Sequence, residues 1–246
     1  MNKTNLCIAS LVLLLMIGQI SAQDHLWKFD ENQGNIAYDS RGGRRGRDGV
    51  RAFLNNAFWR KLAKIGPGSA VRITGADNSF VTFGDSIGQF GRNDFTVAFW
   101  VQTADTLGLY DLIGNRADPG HGNWFAVRMT GDGYVTAEVD EDSNGTNYIG
   151  VRSVRGGLND DQWHHITVTR NGGNLNLYID GALSNRGSAR GTANIRNRND
   201  FKLGRSMVER STRRFAPAAL FDDVAIYSDD LTASQVRSLY RSGLNN

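Results

Sequence analysis

The chain has 246 residues, 28 lysines and arginines against 25 aspartates and glutamates, and one cysteine, Cys7. So even a charge balance argues against general nucleic-acid binding, and a single thiol excludes an internal disulfide. The length suits one large β-sandwich and is short for two domains.

Met1, Asn2 and Lys3 lead into an apolar run over residues 8–17 that ends in the polar and small residues 19–22. This is the pattern of a secretory signal peptide over residues 1–22, with cleavage expected after Ala22. Its core is shorter than the about 20 residues that cross a bilayer, and no later segment approaches that length. The expected product is therefore a secreted domain over residues 23–246 with no membrane span. It also lacks Cys7, which rules out thiol catalysis.

Beyond residue 22 nearly every apolar segment is short, alternates with period two and is bounded by Gly, Asn, Asp or Ser, as strands joined by turns require. In chain order the clear strands cover residues 25–29, 70–74, 79–83, 95–102, 124–130, 134–140, 164–170, 175–180 and 220–227. Phe95, Val97, Phe99 and Val101 share one face while Thr96, Ala98 and Trp100 share the other, so both faces of that strand can be covered. Gly131-Asp132-Gly133, Asn171-Gly172-Gly173 and Asp180-Gly181 fit tight reversals. Thr232 with Gln235 forms a capping box ahead of Val236, Leu239 and Tyr240, and Gly243 follows, which predicts a short C-terminal helix.

One stretch permits two readings. Val50, Phe53, Leu54, Ala57, Phe58, Leu62 and Ile65 recur at helical spacing, with basic residues between them. Arg41, Arg44, Arg45, Arg47, Arg51, Arg60, Lys61 and Lys64 are opposed there by Asp48 alone. The stretch is a solvated surface or a polyanion-binding patch, for which Arg41, Arg44, Arg45, Arg47 and Arg51 are the candidate residues. Arg205, Arg210, Arg213 and Arg214 could extend it.

Three segments, "LWKFDENQGNIAYDSRG", "DDQWHHITVTRNGGNLNLYIDG" and "LFDDVAIYSDDLTASQVRSLYRSG", resemble the laminin-G-like branch of the concanavalin A-like lectin/glucanase superfamily, and "NDFTVAFWVQT" falls in its expected place between them. The resemblance implies an all-β, two-sheet antiparallel jelly-roll sandwich with a short C-terminal helix. It also implies a strand and loop, in preference to a helix, over residues 53–68. A structural calcium often ties the first and last strands in this superfamily, and here Asp222, Asp30 and, less directly, Asp39 would hold it.

Function is less constrained, because this architecture hosts lectins, adhesion modules and glycosidases alike. Glu138, Asp140, Glu141 and Asp142 resemble the Glu-x-Asp-x-Glu strand of laminarinase-type glucanases. Retaining hydrolysis needs two carboxyls about 5 to 5.5 Å apart, however, and the turn signal Ser143-Asn144-Gly145 follows at once. No enzyme is expected. His164 and His165 read as structural, and His25 and His121 lack partners at ligand spacing. Trp124, Arg128, Asn147, Tyr148 and Arg152 fall on segments that border the concave face in relatives, and they are the candidate residues for an extracellular glycan. The alternative is a matrix or mineral-associated structural protein that binds acidic or sulfated polymers and self-associates. Asn144-Gly145-Thr146 is a glycosylation sequon, in a loop expected to be exposed.

Overall fold

The computed structural model describes residues 23–41, 50–61, 63–64, 68–117, 120–205 and 216–243. The expected signal peptide, Arg44, Arg45, Arg47, Arg210, Arg213 and Arg214 lie outside the described residues. In chain order the elements are β1 (Gln23–Trp27), β2 (Ile36–Tyr38), β3 (Arg51–Asn55), β4 (Phe58–Arg60), β5 (Ala70–Thr74), β6 (Phe80–Thr82), β7 (Phe95–Thr103) and β8 (Tyr110–Gly114), then β9 (Trp124–Met129), β10 (Val135–Asp140), β11 (Ile149–Arg152), β12 (Trp163–Asn171), β13 (Asn174–Ile179), β14 (Ala182–Ser188), β15 (Lys202–Leu203), β16 (Ala218–Tyr227) and α1 (Ala233–Ser242).

The strands make two antiparallel eight-stranded sheets. The first runs β14-β13-β12-β7-β16-β5-β4, with β1 also on β16; the second runs β11-β10-β9-β8-β15-β6-β3-β2. Period-two alternation sends Phe95, Val97, Phe99 and Val101 of β7 into a core shared with Phe125, Val127 and Met129 of β9 and with Val81, Ile113 and Leu203. Each such side chain contributes about 1.5–3 kcal/mol on burial. The other face of β7 is covered too. Ala98 packs with Tyr178, Ala225, Tyr227, Leu231 and Val236 beneath α1, and Trp100 lies 5.5 Å from Tyr240. Helix α1 starts at the expected capping box of Thr232 and Gln235 and ends at Gly243.

The basic stretch resolves into strands. In β3 the residues alternate, with Ala52 and Leu54 buried and Arg51 and Phe53 exposed, so the helical reading fails there because the apolar positions serve a sheet face. Arg170, next to the turn of the β12–β13 hairpin, is fully buried. It donates to the carbonyls of Ala193 and Gly91, both at 2.9 Å, and its guanidinium sits 4.7 Å from the centre of the Phe95 ring. Burial lowers its pKa to about 10, against the opposing pull of Asp94.

The histidine pair divides in the same way. His164 lies between Asp180 (2.9 Å) and Asp160 (3.1 Å), and its pKa is raised, foremost by the hydrogen bond to Asp180. His165 is buried beside Trp100 and Tyr240, and burial lowers its pKa to about 4, with Asp180 opposing. An unfolded histidine takes its proton near pH 6.5. His165 therefore withdraws stability as pH falls from about 6.5 towards 4, whereas the His164 contribution is complete below about 6.5 and is lost as pH rises through its raised pKa. Urea unfolding across this range should show the stability gap between wild type and His165→Gln narrowing as the medium is acidified; a constant gap would refute the assignment.

Candidate functional site

Alternation along three neighbouring strands assembles the candidate glycan residues. Phe125, Val127, Val135, Ala137, Val139, Ile149 and Val151 face the core. Trp124, Ala126 and Arg128 of β9 must then share the outer face with Thr136, Glu138 and Asp140 of β10 and Gly150 and Arg152 of β11. The register places Asp140 opposite Trp124, Glu138 opposite Ala126 and Gly150, and Thr136 opposite Arg128 and Arg152. Tyr148 enters just before β11, where a side chain at Gly150 would collide with its hydroxyl.

Glu138 is the centre of this face. One carboxylate oxygen accepts the Tyr148 hydroxyl at 2.7 Å; the other faces Arg116 Nη1 at 3.4 Å and Arg128 Nη1 at 3.9 Å. Arg128 also donates through Nε to Asp111 at 3.1 Å. Burial lowers the pKa of Arg116, with Glu138 opposing, and burial together with the Glu138 contact pushes the Tyr148 phenol well above its ordinary range. Two guanidinium groups thus meet two carboxylates, Glu138 and Asp111, in a largely dehydrated network.

Trp124 is the floor of the face and is no exposed stacking platform. It is 3 % exposed, with the Arg116 guanidinium 4.0 Å from its ring centre. Tyr148 meets it edge-on at 6.3 Å and is itself 39 % exposed, so the ring offered to solvent is Tyr148. His121 packs edge-on against Tyr148 at 5.1 Å and bonds to the buried carboxylate of Asp140 through Nδ1 at 2.6 Å. Asn147 gives its side-chain amide to Glu141, and Arg152 lies over the Tyr134 ring at 3.7 Å with a contact to Asp132. Arg116 and His121 escape sequence reasoning because both come from the loop between β8 and β9, which carries no periodic pattern.

The acidic run does not present a paired acid and nucleophile. Glu138 is committed as described. Asp142 lies past the end of β10, where the Thr146 side chain, and then the backbone N–H groups of Thr146 and Asn144, lower its pKa by hydrogen bonding. Asn144 is exposed in that turn.

Asp222 sits where β16 changes partners and is buried. Its oxygens accept the backbone N–H groups of Lys64 and Asp223 at 2.7 and 2.9 Å. Burial, then the neighbouring Asp223, raises its pKa to about 8. Burial and Asp30 raise that of Asp223 to about 7. Asp30 accepts Ser69 N–H and packs so closely on Gly68 that a Cβ there would overlap its carboxylate. Phe29 and Asp223, both non-glycine, hold left-handed φ of 56° and 43° in this neighbourhood. Among the described residues no three His, Cys, Asp or Glu side chains converge as a metal-ligating group. Asp222 and Asp223 are desolvated and repelled by their acidic neighbours, a strain that a hard divalent cation would relieve. Asp39 stands apart from this neighbourhood, which corrects its expected place. Its oxygens are taken by His25 at 2.7 Å and by the backbone N–H groups of Leu26 and Arg41. Of the expected polyanion residues, Arg41 and Arg51 are described, and both are exposed.

Removing Glu138 would leave two guanidinium groups without their shared carboxylate. Glu138→Ala should cost about 3 kcal/mol in urea unfolding, against about 1 kcal/mol for Tyr148→Phe.

No curated protein matches the chain. Among solved structures the chain is similar to the binding domain of Paraclostridial Mosquitocidal Protein 1, with 20 % identity and a TM-score of 0.69 over 91 % of this chain and 52 % of that one. It is also similar to the botulinum neurotoxin serotype G binding domain, with 19 % identity and a TM-score of 0.66 over 89 % and 51 %. A third is the binding domain of botulinum neurotoxin DC in complex with SialylT, with 14 % identity and a TM-score of 0.64 over 90 % and 51 %. The chain spans about half the length of these structures, and at such identities the likeness shows the fold alone. Residues 74–237 match the Laminin_G_3 family model, described as concanavalin A-like lectin/glucanases superfamily. With its jelly-roll sandwich and that match over well more than half its length, the chain belongs to the laminin-G-type family of the concanavalin A-like lectin/glucanases superfamily.

Proposed function

We propose that this protein is a secreted, non-catalytic carbohydrate-binding domain supported by a structural calcium. The observation that carries the reading is the outer face of β9, β10 and β11. There the half-exposed Tyr148 ring is held by Trp124, His121 and Glu138, with Arg152 on the same sheet face. A fixed aromatic ring offers its face to sugar C–H groups, and guanidinium and imidazole groups beside it can bond hydroxyls at little entropic cost. Similarity to toxin binding domains, one of them in complex with SialylT, is consistent with this reading. Two features speak against glycoside hydrolysis: Glu138 is saturated by three partners, and Asp142 is spent on its own turn. Turnover of a β-glucan that disappears in Glu138→Gln would overturn the non-enzymatic part. Asn144, exposed in its sequon, would carry a glycan if the host glycosylates exported proteins.

Binding to an array of neutral and acidic glycans should lose about tenfold in affinity with Tyr148→Ala, equivalent to about 1.4 kcal/mol. An array with no binder at all would sink the carbohydrate reading.

Calcium belongs at Asp30, Asp222 and Asp223, where a bound divalent ion would supply positive charge between the first and last strands. An ion held by the folded state alone, at a hundred times its Kd, stabilises by about 2.7 kcal/mol. EDTA should therefore lower the Tm of wild type and leave that of Asp222→Asn unmoved. An equal Tm with calcium and with EDTA removes the metal from the proposal.

A further inference from the structure

The opposite edge of the second sheet carries a different constellation. Strands β2 and β3 pair Ile36 with Phe53 and Tyr38 with Arg51. Ala37 and Ala52 between them are buried in the core, so Ile36, Tyr38, Arg51 and Phe53 form one array on the outer face. Tyr38 and Phe53 are 41 % and 43 % exposed. Arg51 has no hydrogen bond or ion pair among the described residues, unlike Arg116 and Arg128 at the far edge. Beside the array runs a groove of about 490 Å³ lined by Glu31, Gln33, Gly34, Asn35, Ile36 and Tyr38. Its volume lies within the range of about 300–1,000 Å³ typical of small-ligand sites.

The walls of the groove are fixed in advance. The Trp59 indole donates to the Gly34 carbonyl at 2.8 Å, and Leu54 N–H donates to the Asn35 carbonyl at 2.9 Å. Glu31 accepts Tyr38 N–H at 2.7 Å through one oxygen, while its other oxygen is buried with no protein partner.

We propose that this groove binds an acidic saccharide, with a sugar ring on Tyr38 and Phe53, its carboxylate on the free Arg51 guanidinium, and its hydroxyls on Glu31, Gln33 and Asn35. The combination decides the ligand class. Exposed aromatic rings attract the polarised C–H face of a sugar, which a plain polyanion does not offer. An unpaired guanidinium presents the planar fork that a carboxylate fills, which a neutral sugar cannot use. The carboxamides and Glu31 supply the mixed donors and acceptors that hydroxyls need.

This assignment rests on the carbohydrate reading above but places binding elsewhere on the sheet, so the two can fail separately. The full chain would be titrated calorimetrically with sialyllactose and with a hyaluronan tetrasaccharide, and lactose would serve as the neutral comparison. At least one acidic probe should bind, with lactose at least about tenfold weaker, because a charge-assisted fork exceeds the roughly 1.4 kcal/mol that a factor of ten represents. Tyr38→Ala and Arg51→Ala should each weaken acidic binding by about tenfold and Arg51→Lys by less, while Leu107→Ala, exposed in the loop between β7 and β8, should leave it unchanged. Both changed residues are exposed, so an unaltered Tm would show that the variants fold. Acidic binding that survives Tyr38→Ala and Arg51→Ala but falls with Tyr148→Ala overturns the groove and keeps the carbohydrate reading. Equal affinity for lactose, or binding of neutral glycans alone, also overturns the groove. Failure to bind any saccharide overturns both.

Discussion

Strand β16 holds three neighbours together, and it breaks stride at Asp222 and Asp223, where it passes from one partner to the next. Its first residues, Ala218 to Phe221, pair with β5, and its last, Val224 to Tyr227, pair with β1, while β7 runs along its other side with a register shift between Asp222 and Ala225. The extra residue turns Asp223 left-handed and leaves a carboxylate buried at Asp222, where it gathers the backbone of Lys64. That contact draws the Lys64 segment across the outer face of the sheet, where its ammonium lies 4.8 Å from the Trp100 ring centre. The acidic neighbourhood and the covering of Trp100 both follow from one irregularity in one strand.

The second sheet uses its two edges differently. At β11 and β10 the polar side chains satisfy one another, so Glu138, Arg116, Arg128 and Asp111 hold each other in place and leave Tyr148 as the accessible ring. At β2 and β3 the same alternation puts aromatic and cationic side chains outward, with less internal pairing. A network that is complete without a partner gives rigidity; Arg51, whose side chain has no partner among the described residues, adds nothing to such a network. The core between the sheets keeps both edges in fixed register.

Much of this was legible in the residues, and what was not has physical reasons. Strands with one polar face, such as β5, β10 and β13, declare themselves by alternation, and the capping residues Thr232 and Gln235 mark α1 within a residue. Strand β8 is buried on both faces from Tyr110 to Gly114 and so carries no alternation to read. Strand β14 is an edge of mostly polar, exposed residues, and β15 is too short to have a period. The family resemblance named Trp124, Arg128 and Arg152 together, but it could not show Arg116 arriving from a loop to cover the tryptophan. Period two places Asp222 and Asp223 on opposite faces, and the bulge that puts both in low-polarity surroundings is a tertiary event. Asp39 fails as a partner of Asp222 for the same kind of reason, since its use by His25 depends on how two short strands meet.

The strand that holds the first sheet together, β16, lies between β7 and β5 and also pairs with β1. Residues 23–27 pair with residues 224–227, far away in sequence, and such widely separated contacts slow folding. A chain made only as far as β15 has β7 and β12 ready to pair but leaves the other side of β7 without its neighbour. Until residues 218–227 have been made, that side of β7 offers unpaired backbone groups to any other strand.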